Sequence, residues 1–430
     1  MSKQVDIITL GCSKNLVDSE RLIKMFERAG ITARHNPEDD ISPVVIINTC
    51  GFISDAKEES INTILDYIQQ KKSGKVQKLY VMGCLSQRYN EQLSEEIPEV
   101  DRYFGKFDWQ NILNEINGSA KILPPHLRAV TTGPTNAYVK IAEGCNRFCA
   151  FCAIPLITGR YKSRPVEDIL AEVRNLVAEG ISEFNIIAQD LSSYGRDLYG
   201  ESKLASLIND LADIDGVKWV RLHYAYPSDF PDDILDVIRE NPRVCKYLDI
   251  ALQHISDNVL SNMRRHINGD ETRELIAKIR ERVPGIHLRT TLMVGFPGEG
   301  DKEFEELMQF VQEVKFERMG AFAYCEEDDT FAAANFSDDI PEDIKQHRLD
   351  RLMELQESIA LELQEKKVGE TIEVVIDREE DDFYVGRTQW DSPEVDPEVL
   401  VKKTRPLCPG QYYFVKVTEA LPFELIAEPV

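Results

Sequence analysis

The sequence predicts an α/β protein in three segments: a doubly wound parallel sheet, then a partial barrel of six β/α units, then a small antiparallel barrel. Three observations predict it. From residue 5 onward, short apolar β-branched runs alternate with runs of helical spacing. From about 131 to 362, six more strand-like runs recur with helices between them. After about 363 the helices stop, and short alternating strands are punctuated by glycine and proline. The expected boundaries are 1–130, 131–362 and 363–430.

In the first segment, strands are expected at Val5–Leu10, Val44–Ile47 and Leu79–Met82. Helices are expected at Leu16–Ala29, with Gly30 as a stop signal, at Ala56–Gln70 and from about Ser86. The six central strands are Tyr138–Ala142, Phe184–Ala188, Trp219–His223, Tyr247–Ala251, Leu288–Val294 and Gly320–Tyr324. Helices between them include Val166–Ala178, Ile234–Glu240, Glu271–Arg282 and Glu303–Val314. A long helix, Asp343–Glu365, leads to alternating strands at Thr371–Ile376, Tyr384–Thr388 and Tyr412–Val417.

Composition narrows the function classes. The chain has 430 residues, 43% of them apolar, and a net charge of −25. That balance argues against a nucleic-acid grip and favours a basic partner. No apolar run approaches the roughly eighteen residues of a membrane span. Leu10-Gly11-Cys12 resembles the end of a lipoprotein signal, but Asp6 breaks the apolar run and Lys3 is the whole basic leader. No signal peptide is expected, and the location read is cytoplasmic. Nine cysteines in such a chain point to metal or catalytic use rather than disulfides.

The densest chemistry lies in YVKIAEGCNRFCAFC, Tyr138 to Cys152. A strand-like run ends in Glu143-Gly144, and Cys145, Cys149 and Cys152 follow. Three thiolates in one loop suit a soft metal centre. A structural zinc site usually wants four ligands, and this stretch has no histidine and no second CxxC. Iron–sulfur clusters take thiolates, and a four-iron cluster on three of them leaves one iron open. Three unrelated buried thiols, or a zinc site, are the alternatives. Cys12, Cys50 and Cys84 lie in ITLGC, IINTC and YVMGC, each just past a strand and before a helix. Such strand tips converge on the ligand crevice of an open α/β sheet, so a second three-thiol centre is expected there. Three separate core cysteines are the alternative. Cys245, Cys325 and Cys408 have no partner at ligand spacing and read as structural.

CxxxCxxC at the end of a first strand, with Phe151 before the last cysteine, resembles the radical S-adenosylmethionine superfamily. GCSKNLVDSE (Gly11 to Glu20), NTCGFI (Asn48 to Ile53) and MGCLSQRY (Met82 to Tyr89) resemble the amino-terminal domain of the methylthiotransferases within it. The resemblance implies two [4Fe-4S] clusters. Cys145, Cys149 and Cys152 would hold the radical-generating one, and Cys12, Cys50 and Cys84 an auxiliary one where sulfur is attached. It implies S-adenosylmethionine as cofactor, in a central core of (βα)6 form. Polar residues at strand ends are then candidate cofactor contacts: Gln189-Asp190, Gln253-His254, Arg264-Arg265, Arg289, and the Gly295–Glu299 turn. Phe151, Gln189, Arg289 and Gly295 are assigned to the cofactor site, and His254 is read as structural.

The last segment resembles the TRAM domain, an OB-like barrel that often binds RNA. From Lys366 onward it carries eight Lys/Arg against fourteen Asp/Glu, a net of −6. The run Glu379–Asp382 would repel a phosphate backbone. GCSKN (Gly11–Asn15), AEGCN (Ala142–Asn146), CAFCAIP (Cys149–Pro155) and WDSPEVD (Trp390–Asp396) resemble the methylthiotransferases that modify an aspartate of a small-subunit ribosomal protein, the RimO type. The resemblance implies methylthio insertion at the aspartate β-carbon, initiated by a 5′-deoxyadenosyl radical. An electron-donor protein and a sulfur donor are expected as partners, with the basic ribosomal protein bound through the acidic tail barrel. The expected state is a monomer. Methylthiolation of a transfer-RNA adenosine is the alternative.

Overall fold

The computed structural model describes residues 4–117, 124 and 126–430. It forms two compact units. The first comprises Met1–Thr131, Tyr138–Asn146 and Cys152–Asn175, and the second Thr132–Ala137, Arg147–Phe151 and Leu176–Val430.

The first unit is built on a five-stranded parallel sheet: β1 (Gln4–Thr9), β2 (Thr32–His35), β3 (Val44–Thr49), β4 (Lys78–Gly83) and β5 (Arg102–Tyr103). Their order is β2-β1-β3-β4-β5. The apolar residues of β1, β3 and β4 are buried on both faces, as a parallel sheet between helices requires. One face packs Val5, Ile7, Ile46, Tyr80 and Met82 against Leu22 and Phe26 of helix Ser13–Arg28. The other packs Val45, Ile47, Leu79 and Val81 against Ile64 and Ile68 of helix Ser54–Lys72. The three expected strands are present, each a residue or two displaced at its ends. β2 and β5 were not expected: Thr32–His35 carries no apolar alternation, and β5 has two residues.

A second parallel sheet contains β6 (Asn136–Lys140) and then, after the short hairpin of β7 (Ala142–Glu143) with β8 (Lys162–Ser163), β9 (Glu183–Ile187), β10 (Trp219–Ala225), β11 (Val244–Ile250), β12 (His287–Val294) and β13 (Arg318–Ala323). The order β13-β12-β11-β10-β9-β6 runs without a switch. Successive β/α units that always advance one way give a curved, barrel-like sheet with its loops at the carboxyl edge. All six expected strands are found, and helices Val166–Ala178 and Ile234–Glu240 match the periodicity end to end.

The tail is a closed five-stranded barrel: β14 (Thr371–Glu379), β15 (Phe383–Arg387), β16 (Glu398–Lys402), β17 (Tyr412–Leu421) and β18 (Glu424–Pro429). The barrel is antiparallel as expected except at one seam, where β16 pairs parallel with β18. The β17–β18 hairpin returns beside β16, and closure there removes the free edges.

The tail barrel docks on the amino ends of the second sheet, within the second unit. Trp219 and Tyr412 meet edge to face at 4.9 Å, and His287 stacks on Trp390 at 4.8 Å. Arg387 donates to both carboxylate oxygens of Glu183, at 2.8 and 2.9 Å, and Arg221 joins the same carboxylate. Burial alone would raise the Glu183 carboxyl, but the two guanidinium groups hold it down at about 2. Asp391 receives Arg318, and Asp396 receives Arg289 at 2.6 Å and the Tyr247 hydroxyl at 2.8 Å. The WDSPEVD stretch is therefore the plug that seats the tail barrel.

Candidate active site

Cys12, Cys50 and Cys84 are each placed by the first unit's sheet. Cys12 caps helix Ser13–Arg28, Cys50 directly follows β3, and Cys84 opens helix Cys84–Glu96. One side chain joins the three tips. The Asn15 amide donates to Leu10 O at 3.0 Å and to Thr49 O at 3.1 Å, while its oxygen lies 3.5 Å from the Cys84 sulfur. Asn48 reinforces it, donating to Asn15 O at 2.9 Å. The thiols crowd the backbone: a Cβ on Gly11 would lie 2.6 Å from Cys50 Cβ and 2.8 Å from its sulfur.

The electrostatics around the three thiols differ. Surrounding protein pushes the Cys12 thiol up, but Lys14, Lys106 and the Asn15 N–H outweigh that, and the net shift is downward. Cys12 is also the exposed member. Burial raises Cys50, and pushes Cys84 up to about 12 despite the Lys106 ammonium 3.8 Å from its sulfur. Buried thiols of this kind stay protonated until a metal displaces the proton. Among the described residues no three His, Cys, Asp or Glu side chains converge on a single ion. A cluster is wider than an ion, and a soft, all-thiolate donor set on three converging strand tips fits one.

The second thiol group opens from the β7–β8 hairpin. Gly144 has φ +77°, and any Cβ there would collide with the Arg160 carbonyl, so the turn into Cys145 needs glycine. The Cys145 N–H donates to Gly159 O at 3.2 Å, and Asn146 Oδ1 accepts from Tyr161 N at 3.1 Å. In the second unit, Ala150 is pinned between two helices, donating to Met263 O (2.9 Å) at the end of Asp257–Asn262 and accepting from Ala332 N (2.8 Å) in Phe331–Asn335. The Cys149 sulfur lies 3.2 Å from the Arg265 guanidinium and 3.6 Å from the Tyr226 hydroxyl. Tyr226 is sandwiched by Arg265 and Arg147, whose guanidinium carbons lie 4.2 and 4.3 Å from the ring centre. Arg147 in turn donates to Asp190 at 2.7 Å. A cationic wall beside a thiolate favours an anionic cluster there.

Two buried polar atoms without hydrogen-bond partners lie at the same carboxyl edge. The Oε1 of Gln253 and the Oδ1 of Asp190 are such atoms. Gln253 also takes φ +73°, a conformation that glutamine rarely adopts. Unpaired buried polar atoms and local strain mark a place built for a ligand. S-adenosylmethionine, whose amino group and ribose hydroxyls donate, fits those two oxygen acceptors.

The assigned cofactor residues divide. Gln189 follows β9 at the carboxyl edge. Phe151 packs edge to face on Phe296 at 6.2 Å, next to Gly295. Gly295 has φ +74°, and what approaches its α-carbon is the Lys345 stem, so the turn's tightness serves helix packing first. Arg289, also assigned to the cofactor, is the third residue of β12, at the amino end, and its guanidinium pairs with Asp396. His254 is structural as expected, buried at 3.2 Å from Glu299 and accepting from Ser256 N at 3.0 Å. Cys245 is a core residue, whereas Cys325 and Cys408 are exposed. Sequence reasoning missed Asn15, Lys106, Arg147 and Tyr226. Asn15 and Arg147 stand inside quoted motifs, and their side-chain type was the available signal.

The comparisons agree with this layout. The radical SAM superfamily profile matches residues 139–311, the profile of an uncharacterised protein family (UPF0004) matches residues 4–105, and the TRAM domain profile matches residues 368–430. The chain is 56% identical over 429 residues to the ribosomal protein uS12 methylthiotransferase RimO of Porphyromonas gingivalis, covering 99% of each chain. The chain belongs to the RimO family. The Bacteroides fragilis member is 54% identical over 428 residues, again covering 99% of each chain. Among solved structures, the radical S-adenosylmethionine methyltransferase TsrM from Kitasatospora setae aligns with TM-score 0.55 at 14% identity, over 75% of this chain and 72% of that one. At that identity the likeness speaks for the fold, and it is the fold expected of this family.

Proposed function

We propose that this RimO-family chain is a radical S-adenosylmethionine methylthiotransferase, which places a methylthio group on the β-carbon of an aspartate in ribosomal protein uS12. The observation that carries the reading is the near-complete identity span with uS12 methylthiotransferases. The two thiol groups give it chemistry: Cys145, Cys149 and Cys152 on one loop, and Cys12, Cys50 and Cys84 on one sheet edge. The three-domain division at 1–130, 131–362 and 363–430 belongs to the same reading.

An unactivated C–H bond yields to no side-chain base at neutral pH; when bound, the clusters and S-adenosylmethionine supply the electron, the radical and the sulfur. The protein's own residues do the rest. The Cys145/Cys149/Cys152 loop would hold the radical cluster, with Arg265 and Tyr226 compensating charge at Cys149. Gln189, Gln253 and Asp190 would bind the cofactor's polar groups, and Phe151 would wall the site. Cys12, Cys50 and Cys84 would hold the auxiliary cluster. Removing water and fixing the target carbon supply most of the protein's share of catalysis.

The tail barrel's net charge of −6 suits a basic substrate protein. No helix among the described residues is long and apolar enough to cross a membrane, and a monomer acting on its substrate in the cytoplasm completes the proposal. An electron-donor protein and a sulfur donor are its further partners. Intact-mass measurement of small-subunit ribosomal proteins, from cells with and without this gene, tests the reading. Transfer-RNA nucleosides are run in parallel. Loss of one methylthio mass from uS12 is expected. Loss from a transfer-RNA adenosine, with uS12 unchanged, would overturn it.

A further inference from the structure

The carboxyl edge of the first sheet carries one more functional group than the three thiols. β5 lies beside β4, and three residues past its end stands Lys106. It occupies on β5 the place that cysteines occupy on β1, β3 and β4. Its side chain is 2% exposed. Its backbone N–H is fixed by Gln87 Oε1 at 3.0 Å, and its ammonium lies 3.8 Å from the Cys84 sulfur.

A buried ammonium is costly unless it is closely paired. The carboxylate in reach is Asp18, at 3.5 Å. Asp18 is already held more tightly by Lys140, at 2.5 Å, and Lys140 is also paired with Glu143. Lys140 holds Asp18 Oδ1, so Lys106 shares that carboxylate through Oδ2 rather than having it alone. Besides Asp18 and the Glu143 carboxylate, the groups it interacts with are thiols: it acts electrostatically on Cys84, Cys12 and Cys50. Lys14 adds a second positive charge on the Cys12 side. A fixed cation facing three thiols favours net negative charge at that corner.

We infer that Lys106 is the charge-compensating positioning residue of the auxiliary cluster, and that its ammonium anchors an anionic sulfur ligand on that cluster's open iron. The inference rests on the two-cluster reading above and adds to it the residue that retains the sulfur. Arginine preserves the charge, so Lys106→Arg keeps part of the function. Lys106→Met keeps the length and removes the charge. Asp18→Asn removes the opposing charge and acts in the opposite sense.

The test uses full-length protein carrying Cys145→Ala, Cys149→Ala and Cys152→Ala, so that only the auxiliary cluster is loaded under anaerobic reconstitution. Sodium sulfide is titrated in, and the cluster's EPR signal and reduction potential are followed. Adding Lys106→Met is expected to weaken hydrosulfide binding at least about tenfold, since charges this close interact strongly in a buried site, and to lower the potential. Lys106→Arg recovers most of both, and Asp18→Asn raises the potential. Unchanged affinity and potential in Lys106→Met, with iron retained, would overturn the inference. If Lys106→Met alone loses its iron, Asp18→Asn decides: an unmoved potential there overturns it too. Failure of the parent triple variant to bind iron would instead bring down the two-cluster reading, and this inference with it.

Discussion

The two thiol groups are built by opposite means. Cys145, Cys149 and Cys152 lie within eight residues, on a loop whose shape is set locally by Gly144 and the bond from Cys145 to Gly159. Cys12, Cys50 and Cys84 are 38 and 34 residues apart, and only the β1-β3-β4 neighbourhood brings their strand tips together. The loop group is faced by Arg265 and Tyr226 at Cys149; the sheet group is tied by Asn15 and faced by Lys106. The difference teaches that a local motif can announce the proposed radical centre, whereas the proposed auxiliary centre depends on topology. It also separates their roles: one group should govern cofactor cleavage, the other sulfur transfer.

The largest expected effect breaks the comparison at the loop. Replacing Cys145, Cys149 and Cys152 together with alanine should reduce 5′-deoxyadenosine formation to background, measured by chromatography of the anaerobic reaction. Turnover at the parent rate would mean that the loop is not the radical site.

The seam under the tail barrel sharpens the comparison, because it is polar and buried yet should be silent in chemistry. Glu183→Gln leaves Arg221 without its carboxylate and Arg387 with Asp377 alone, and should cost about 3 kcal/mol, read by chemical denaturation. The pH dependence has a definite sign. The folded carboxyl of Glu183 is depressed to about 2 from the usual 4.5, so its contribution is full above about 4.5 and is lost as pH falls toward 2. Wild-type stability should drop over that window, and the Glu183→Gln variant should drop less. Asp396→Asn weakens the contacts to Arg289 and Tyr247 and should cost about 1–3 kcal/mol, with iron content unchanged. Loss of cofactor affinity without loss of stability would instead return Arg289 to the cofactor site.

The smallest effect lies on the tail surface. Reversing Glu379, Glu380, Asp381 and Asp382 to lysine should raise the KM for uS12 several-fold at low salt and leave kcat unchanged. An unaltered KM would remove that face from substrate docking.

The strands carrying buried β-branched residues were legible, because burial on both faces leaves a continuous apolar run. β2, β5, β16 and β18 were not: they are short or polar, and neighbouring strands define them. All six candidate ligand thiols could be named from sequence, since cysteine is rare and its spacing or strand-tip position repeats. Their supporting residues could not. Asn15, Lys106 and Tyr226 take their roles from contacts 69, 22 and 77 residues away. Arg289 shows the converse ambiguity. A polar residue within a strand reads alike whether it meets a cofactor or a docking domain, and only the position of Asp396 distinguishes them.

The division of labour between the two groups is best tested with Cys12, Cys50 and Cys84 all replaced by alanine. The reconstituted protein is given S-adenosylmethionine, reductant and uS12, and the two products are measured from one reaction. The expected result is continued 5′-deoxyadenosine formation with no methylthiolated uS12. Methylthiolated uS12 from this variant would contradict the account, because sulfur would then reach the substrate without the sheet-edge thiols.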